Sequence, residues 1–190
     1  MKIGIIVGSI RRGRVTPGMA NWIATAFKKS EDDEINIIDL RDYPLPLFDE
    51  AISPKYNKDR QPEGTVKAWL DVLAEQDAYV IVSPEYDRAV PGVLKNAIDY
   101  IDYQMDKKPV ALAGHGSYSG AFSLVQLRSI VPELGAVTTP KMLGIPYGQF
   151  DAEGNPTGDL SMYENLLNLV VDEVRQYGRA LAQLRADQSV

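Results

Sequence analysis

Arg11, Arg12 and Arg14 place three cations within four residues of a chain whose formal net charge is −6. Ser9 and Thr16 add hydroxyls on either side, and the helix N-terminus that follows the loop offers unpaired amides. Cations, hydroxyls and free amides are the groups that hold phosphate. A solubilising basic loop is the plain alternative. It does not explain why the cations gather at one point of an acidic chain. Two familiar phosphate motifs fail here. Gly8 and Gly13 have P-loop spacing, but Arg14-Val15 stands where Lys-[Ser/Thr] is required. Gly4, Gly8 and Gly13 do not spell G-x-G-x-x-G.

Two further stretches carry polar groups. Pro84-Glu85-Tyr86-Asp87 opens a loop that Pro91 closes. Its backbone can line a flat ligand and Tyr86 can wall it. Glu85 and Asp87 either stabilise the loop or bring negative charge to the ligand. Gly114-His115-Gly116-Ser117-Tyr118-Ser119-Gly120 is rich in small residues, whose amides can come close to a ligand. His115 is the only histidine. It invites an acid/base role, although packing or capping is the more economical reading. With one histidine and no cysteine, thiolate catalysis, disulfides and His-rich metal sites are excluded.

The elements that must position these stretches alternate. Ile3-Gly4-Ile5-Ile6-Val7 predicts a first strand, and Thr16-Pro17 a helix start with Thr16 as N-cap. Met19, Trp22, Ile23, Ala26 and Phe27 then fall on one helical face. Glu31-Asp32-Asp33-Glu34 reads as a solvated turn, and 35–40 as the second strand. Residues 42–64 carry four prolines and read either as a stiff surface connector or as a flap bordering a ligand site or subunit interface. Helix 65–76 and the apolar strand Ala78-Tyr79-Val80-Ile81-Val82 follow, then helix 91–103, strand 109–113, helix 120–134, strand 136–143, a turn-rich connector 144–160 and a long helix 161–185. Strands alternating with helices predict a parallel sheet covered on both faces, one domain over 1–190. Ligands of such sheets bind beyond the carboxyl ends of the strands, where the strand order reverses. The pI near 4.9 argues against a nucleic-acid surface. No apolar run reaches the roughly 18 residues of a membrane span. Met1-Lys2 leads straight into a strand, so no signal peptide is expected.

The stretch from Pro84 to Asp99 resembles the P-E-Y-N-x-x-x-P-G-x-L-K-N-A-I-D signature of the NAD(P)H-dependent FMN reductases, a flavodoxin-like family with quinone and azo-dye reductases. Asp87 departs from it, because the family usually has Asn there. Gly8, Ser9 and Arg11 resemble its G-S-x-R phosphate loop, with Thr16 at the later hydroxyl position. Leu45-Pro46-Leu47-Phe48-Asp49 resembles its L-P-x-F-D segment. Residues 114–120 resemble its G-x-G-x-x-G-G loop, and Gln126-Leu127-Arg128 its Q-L-R. Leu127 reads as core, Arg128 as an ion-pair partner, and Lys95-Asn96 as an anchor between helix and loop.

The resemblance implies a flavodoxin-like three-layer sandwich with a five-stranded parallel sheet of order 2-1-3-4-5. It implies FMN as cofactor, with phosphate contacts from Ser9, Arg11, Thr16 and Arg14, and ring contacts from Pro84, Glu85, Tyr86, Asp87, Gly116, Ser117 and Tyr118. NADPH or NADH would give hydride to the flavin, and a small-molecule acceptor would then take it, in a ping-pong cycle. No side-chain base is needed, because the cofactors carry that chemistry. An ionised Asp87 beside the ring would lower its potential. The resemblance further implies a cytoplasmic homodimer or homotetramer that uses no metal, nucleic acid or membrane. The alternative is a flavin-binding electron carrier or redox-sensing partner protein. A carrier should have an arginine-poor phosphate loop, the reverse of this one. A receiver domain would need acidic residues where Gly8-Ser9 and Ser83-Pro84 stand.

Overall fold

The computed structural model describes residues 1–28, 32–151 and 153–187. Strands β1 (Lys2–Val7), β2 (Glu34–Asp39), β3 (Ala78–Pro84), β4 (Pro109–Gly116) and β5 (Val137–Pro146) form one sheet of order β2-β1-β3-β4-β5. Every neighbouring pair is parallel, so the strand order is the expected one. β3 is buried along its whole length, which is why it reads as an unbroken apolar run.

Helices α1 (Thr16–Phe27) and α5 (Ser161–Asp187) cover one face; α2 (Gly64–Ala74), α3 (Gly92–Asp99) and α4 (Ala121–Ile130) cover the other. Alternate strand residues divide between the two cores. Ile5, Val7, Val80 and Val82 meet Met19, Ile23, Val170 and Val174. Ile6, Ile81 and Leu112 meet Trp69, Leu73, Leu94 and Leu127. Trp69 is fully buried, and its indole N–H donates to the Ala97 carbonyl at 2.9 Å, so burying the ring leaves no polar atom unpaired.

Several boundaries differ from those predicted. α1 is capped by Val15 without a side-chain hydrogen bond, and Thr16 is its first residue rather than its N-cap. α3 stops at Asp99, because the Tyr100 hydroxyl is drawn to the carbonyls of Pro46 and Leu47 while Asp102 pairs with Arg60. β4 and β5 run past their predicted ends, since Gly114 pairs with Gly144 and Gly116 with Pro146. α4 gives way to a 3-10 turn over Val131–Leu134, where Pro132 supplies no amide. Of the predicted solvated turn, Glu31 lies outside the described residues. The Asp33 side chain is buried and takes the Arg175 Nε–H at 2.7 Å, because α5 passes beside the start of β2.

Residues 42–64 pack as a flap against α3. Asn96 accepts from the Phe48 amide at 2.8 Å and donates to the Pro46 carbonyl at 2.7 Å. Arg60 forks onto Glu50 at 2.7 and 2.8 Å and reaches Asp102 at 2.9 Å. Asn96 is thus the anchor expected of it, with the flap as its partner.

At the opposite end of the sheet, Lys108 donates to the Ala74 carbonyl at 3.1 Å and lies 5.8 Å from the Tyr79 ring centroid. Burial, and then the charge of Arg185, pull its pKa from 10.5 down to about 8, against the pull of Asp77. Between those two values the unfolded chain holds a proton that the folded chain has released, so stability rises with pH across that window. Unfolding in urea at about pH 7 and about pH 10 should show the wild type gaining on the order of 1 kcal/mol over Lys108→Met, a gain kept small by solvent screening. Parallel pH profiles would show that the lysine titrates normally.

Candidate active site

The loops after β1 and β3 meet at the switch point. The Ser9 Oγ lies 2.7 Å from the Tyr86 hydroxyl, and Ser9 is fully buried. The Arg11 guanidinium sits 5.6 Å from the centroid of the Tyr86 ring. The Glu85 amide donates to the His115 carbonyl at 2.8 Å, which ties in the end of β4. Between these three segments opens a cavity of about 350 Å³.

Arg11, Arg14 and Thr16 line it from the first loop, Pro84, Glu85 and Tyr86 from the second, and Gly116 and Ser117 from the third. Ser9 stands behind them, holding Tyr86. Asp87 and Tyr118 do not line the cavity. His115, Gly13 and Val15 do, together with Tyr147, Phe150 and Asp151 of the β5–α5 connector. Those last three were not singled out from the sequence. Two aromatic residues in a Gly- and Pro-rich connector were the available signal. Phe150 is buried, edge-on to Trp22 and to His115. The connector reaches the start of α1: a Cβ on Gly18 would lie 1.5 Å from the Gly154 carbonyl oxygen, so only glycine fits there. The Asp151 carboxylate accepts from the side chain and amide of Asn155, which hold its pKa below the ordinary value.

The three arginines have separate surroundings. Arg14 forks onto Asp39 at the end of β2, with one contact at 2.6 Å, and also donates to the Ser9 carbonyl. Its charge is met by a carboxylate, and it braces the loop against the sheet edge. Arg12 is exposed and does not line the cavity; Arg11 is exposed at its rim. Arg41, which the sequence did not mark, donates to the carbonyls of Ile10 and Arg11 from below. At the first turn of α1 the Thr16 hydroxyl is buried without a hydrogen-bond partner. A buried orphan oxygen beside helix amides suits phosphate, whose oxygens accept from both.

On the opposite wall, the Glu85 carboxylate accepts from the Phe122 amide at 2.8 Å and so caps α4, whose own N-cap is Gly120. Gly116 has φ +156°, and a Cβ there would press to 3.2 Å from the Glu85 Cβ. Tyr86 and Ala89 exchange both backbone hydrogen bonds, at 3.1 and 2.9 Å. That leaves Asp87 and Arg88 as the central pair of a tight turn, with φ of +50° and +61°. Asparagine adopts that conformation readily, which gives the family's residue at position 87 a backbone reason. Gln126 holds the turn, accepting from the Val90 amide at 3.0 Å and donating to the Arg88 carbonyl at 3.1 Å. Arg128 is not the ion-pair partner expected: it donates to the carbonyls of Thr139 and Pro140, at 3.0 and 2.8 Å, because β5 turns its backbone toward it. Tyr118 is half exposed and edge-on to Phe122, with the Arg88 guanidinium over both rings.

Over residues 1–149 the sequence matches the family described as NADPH-dependent FMN reductase. The chain belongs to this family. Among its relatives, the NAD(P)H-dependent FMN reductase LOT6 of Saccharomyces cerevisiae is 30% identical over 181 residues, covering 90% of this chain and 95% of that protein. A quinone reductase of Escherichia coli is 31% identical over 179 residues, covering 87% of this chain and 89% of its own. The flavoenzyme NAD(P)H:(acceptor) oxidoreductase FerB of Paracoccus denitrificans shares the fold, with a TM-score of 0.69 at 22% identity, covering 93% of this chain and 98% of that one. Among the described residues, no helix of this FMN reductase family member is long and apolar enough to cross a membrane.

Proposed function

We propose that this chain is a single FMN-binding domain that takes hydride from NADPH or NADH and reduces a small-molecule acceptor, a flavin, quinone or azo compound, in a ping-pong cycle. The observation that carries this reading is the unpartnered, buried Thr16 hydroxyl at the start of α1, in a cavity whose far wall is the Pro84–Tyr86 segment. When bound, FMN supplies the redox chemistry, and the protein supplies binding, orientation and electrostatics.

In this reading Thr16, the first amides of α1 and the Arg11 guanidinium hold the phosphate. Ser9 acts by fixing Tyr86, and Arg14 by bracing the loop through Asp39. Pro84, Glu85, Tyr86, Gly116 and Ser117 form the wall for the ring. Glu85 is committed to α4, which keeps that wall rigid while substrates exchange. Asp87 and Tyr118 are left out of the contact set, since neither lines the cavity. No side-chain acid or base is assigned a proton. The reductant and the acceptor use one place in turn. A cytoplasmic setting belongs to this reading, because the reductant is a soluble dinucleotide.

A homodimer or homotetramer is also part of the proposal. Leu47 and Tyr56 of the flap and Val125 of α4 are 85%, 81% and 65% exposed, more apolar surface than a lone flap should leave in water. Light scattering at micromolar concentration should give at least twice the 21.0 kDa chain mass, and a monomer would overturn the assembly.

The function is tested by the absorbance of the purified protein before and after anaerobic addition of NADPH. A yellow protein that bleaches within seconds is the expected result. One that stays oxidised with NADPH and with NADH would be a flavin-binding carrier or sensor instead. A colourless protein that takes up no added FMN would overturn the flavin reading. Arg11→Ala should weaken FMN retention by about 1.5–3 kcal/mol, the worth of a charge-assisted hydrogen bond. Unchanged flavin occupancy would move the phosphate elsewhere.

A further inference from the structure

Arg88 stands where glycine would cost least. It is the second central residue of the 86–89 turn, at φ +61°, a place that such turns favour for glycine. The turn keeps its shape regardless, because Gln126 bonds both the Val90 amide and the Arg88 carbonyl. Backbone strain that the surroundings hold in place points to a side chain that is used. That side chain is set in position but not neutralised. Its guanidinium lies 5.3 Å from the centroid of the Tyr118 ring and 5.2 Å from that of Phe122, two rings that meet edge-on. A cation held on aromatic rings keeps its N–H groups free to donate. Among the described residues the exposed guanidinium has no hydrogen-bond or ion-pair partner, whereas Arg14, Arg60 and Arg175 are each fixed on carboxylates. The nearby acids do not claim it. Asp87 makes no ion pair with it, and Glu85 is committed to the Phe122 amide.

Its place in the fold says which anion it serves. Tyr118 follows Ser117, which lines the cavity, and Phe122 is bonded to Glu85, which lines it too. Arg88 therefore borders the cavity at the wall assigned to the flavin ring. The flavin phosphate is assigned to the start of α1 with Arg11, so the Arg88 cation is left for the second ligand. A flavin, quinone or azo acceptor need carry no charge. NADPH and NADH both carry a pyrophosphate, and NADPH a further phosphate on its adenosine ribose. We propose that Arg88 binds a phosphate of the nicotinamide dinucleotide and so holds the reductant over the site. In a chain of formal net charge −6, the same cation also speeds the encounter with that anion. This rests on the flavin reading above and assigns Arg88 to binding, with no proton or hydride passing through it.

The test uses the full chain loaded with FMN. Calorimetric titration takes the tetrahydronicotinamide analogues of NADPH and NADH, which have no hydride to give. Arg88→Gln should weaken their binding roughly 5- to 30-fold, the worth of a charge-assisted contact screened by exposure. Arg88→Gly, which removes the side chain and suits the turn, should lose as much, and Arg88→Lys should recover part. FMN affinity should stay the same in all three. An equal loss with both analogues assigns the guanidinium to the pyrophosphate; a loss confined to the NADPH analogue assigns it to the 2′-phosphate. In stopped flow, Arg88→Gln should raise the NADPH concentration needed for half-maximal bleaching and keep the limiting rate. Re-oxidation of the reduced protein by an uncharged quinone should be unchanged. Unaltered analogue affinity in Arg88→Gln would overturn the proposal while leaving FMN binding intact. So would full affinity in Arg88→Gly, which would trace the loss to a distorted turn, or an equal fall in the rate with quinone. A wild type that binds no FMN would overturn the flavin reading and this proposal together.

Discussion

The structure depends on the position of β1 between β2 and β3. β1 is extended on one side by the crossover through α1, and on the other by β3 arriving from later in the chain. Crossovers of parallel strands are right-handed, so the helices that serve the two sides must lie on opposite faces. α1 goes to one face and α3 to the other. Their preceding loops part above the ends of β1 and β3, and the gap between them is the cavity. The cavity is thus a product of strand order, which no single side chain opens.

Given that gap, polar bonds decide how firmly its walls stand. Ser9 to Tyr86 joins the two loops directly. Gln126 holds the 86–89 turn, and Glu85 is pinned to the start of α4. Arg14 spends its charge on Asp39. These groups are polar and near the ligand, yet their bonds are made within the protein. Among the described residues, the buried side-chain atoms without a partner that belong to residues lining the cavity are Arg14 Nε, Thr16 Oγ1 and His115 Nδ1, and these keep hydrogen-bonding capacity to offer.

Much of this was legible in the sequence because it is local. The apolar runs, the prolines at 17 and 91 and the glycines at 114, 116 and 120 announce strands, helix starts and close-approach loops within a few residues of themselves. Arg14, Glu85 and Arg128 were legible as polar residues but not by partner. Their partners Asp39, Phe122 and Thr139 are set by how the strands and helices pack. Phe150 and Asp151 were missed for a related reason: a connector's composition says that it turns, not what it turns against. The helix ends were misplaced where tertiary bonds, such as Tyr100 to the flap, overrode periodicity.

The Ser9–Tyr86 contact bridges 77 positions of sequence. β1 is completed early during synthesis, but one of its edges has no partner until residues 78–82 have left the ribosome. Until then that edge offers unpaired amides and carbonyls to any other strand, and the ligand cavity does not exist. The site is therefore late to assemble although its first loop is among the earliest residues made. Parallel pairing over such a separation is slow to nucleate. A small molecule that grips both loops at once would favour the paired state and shorten the time that the edge stands open.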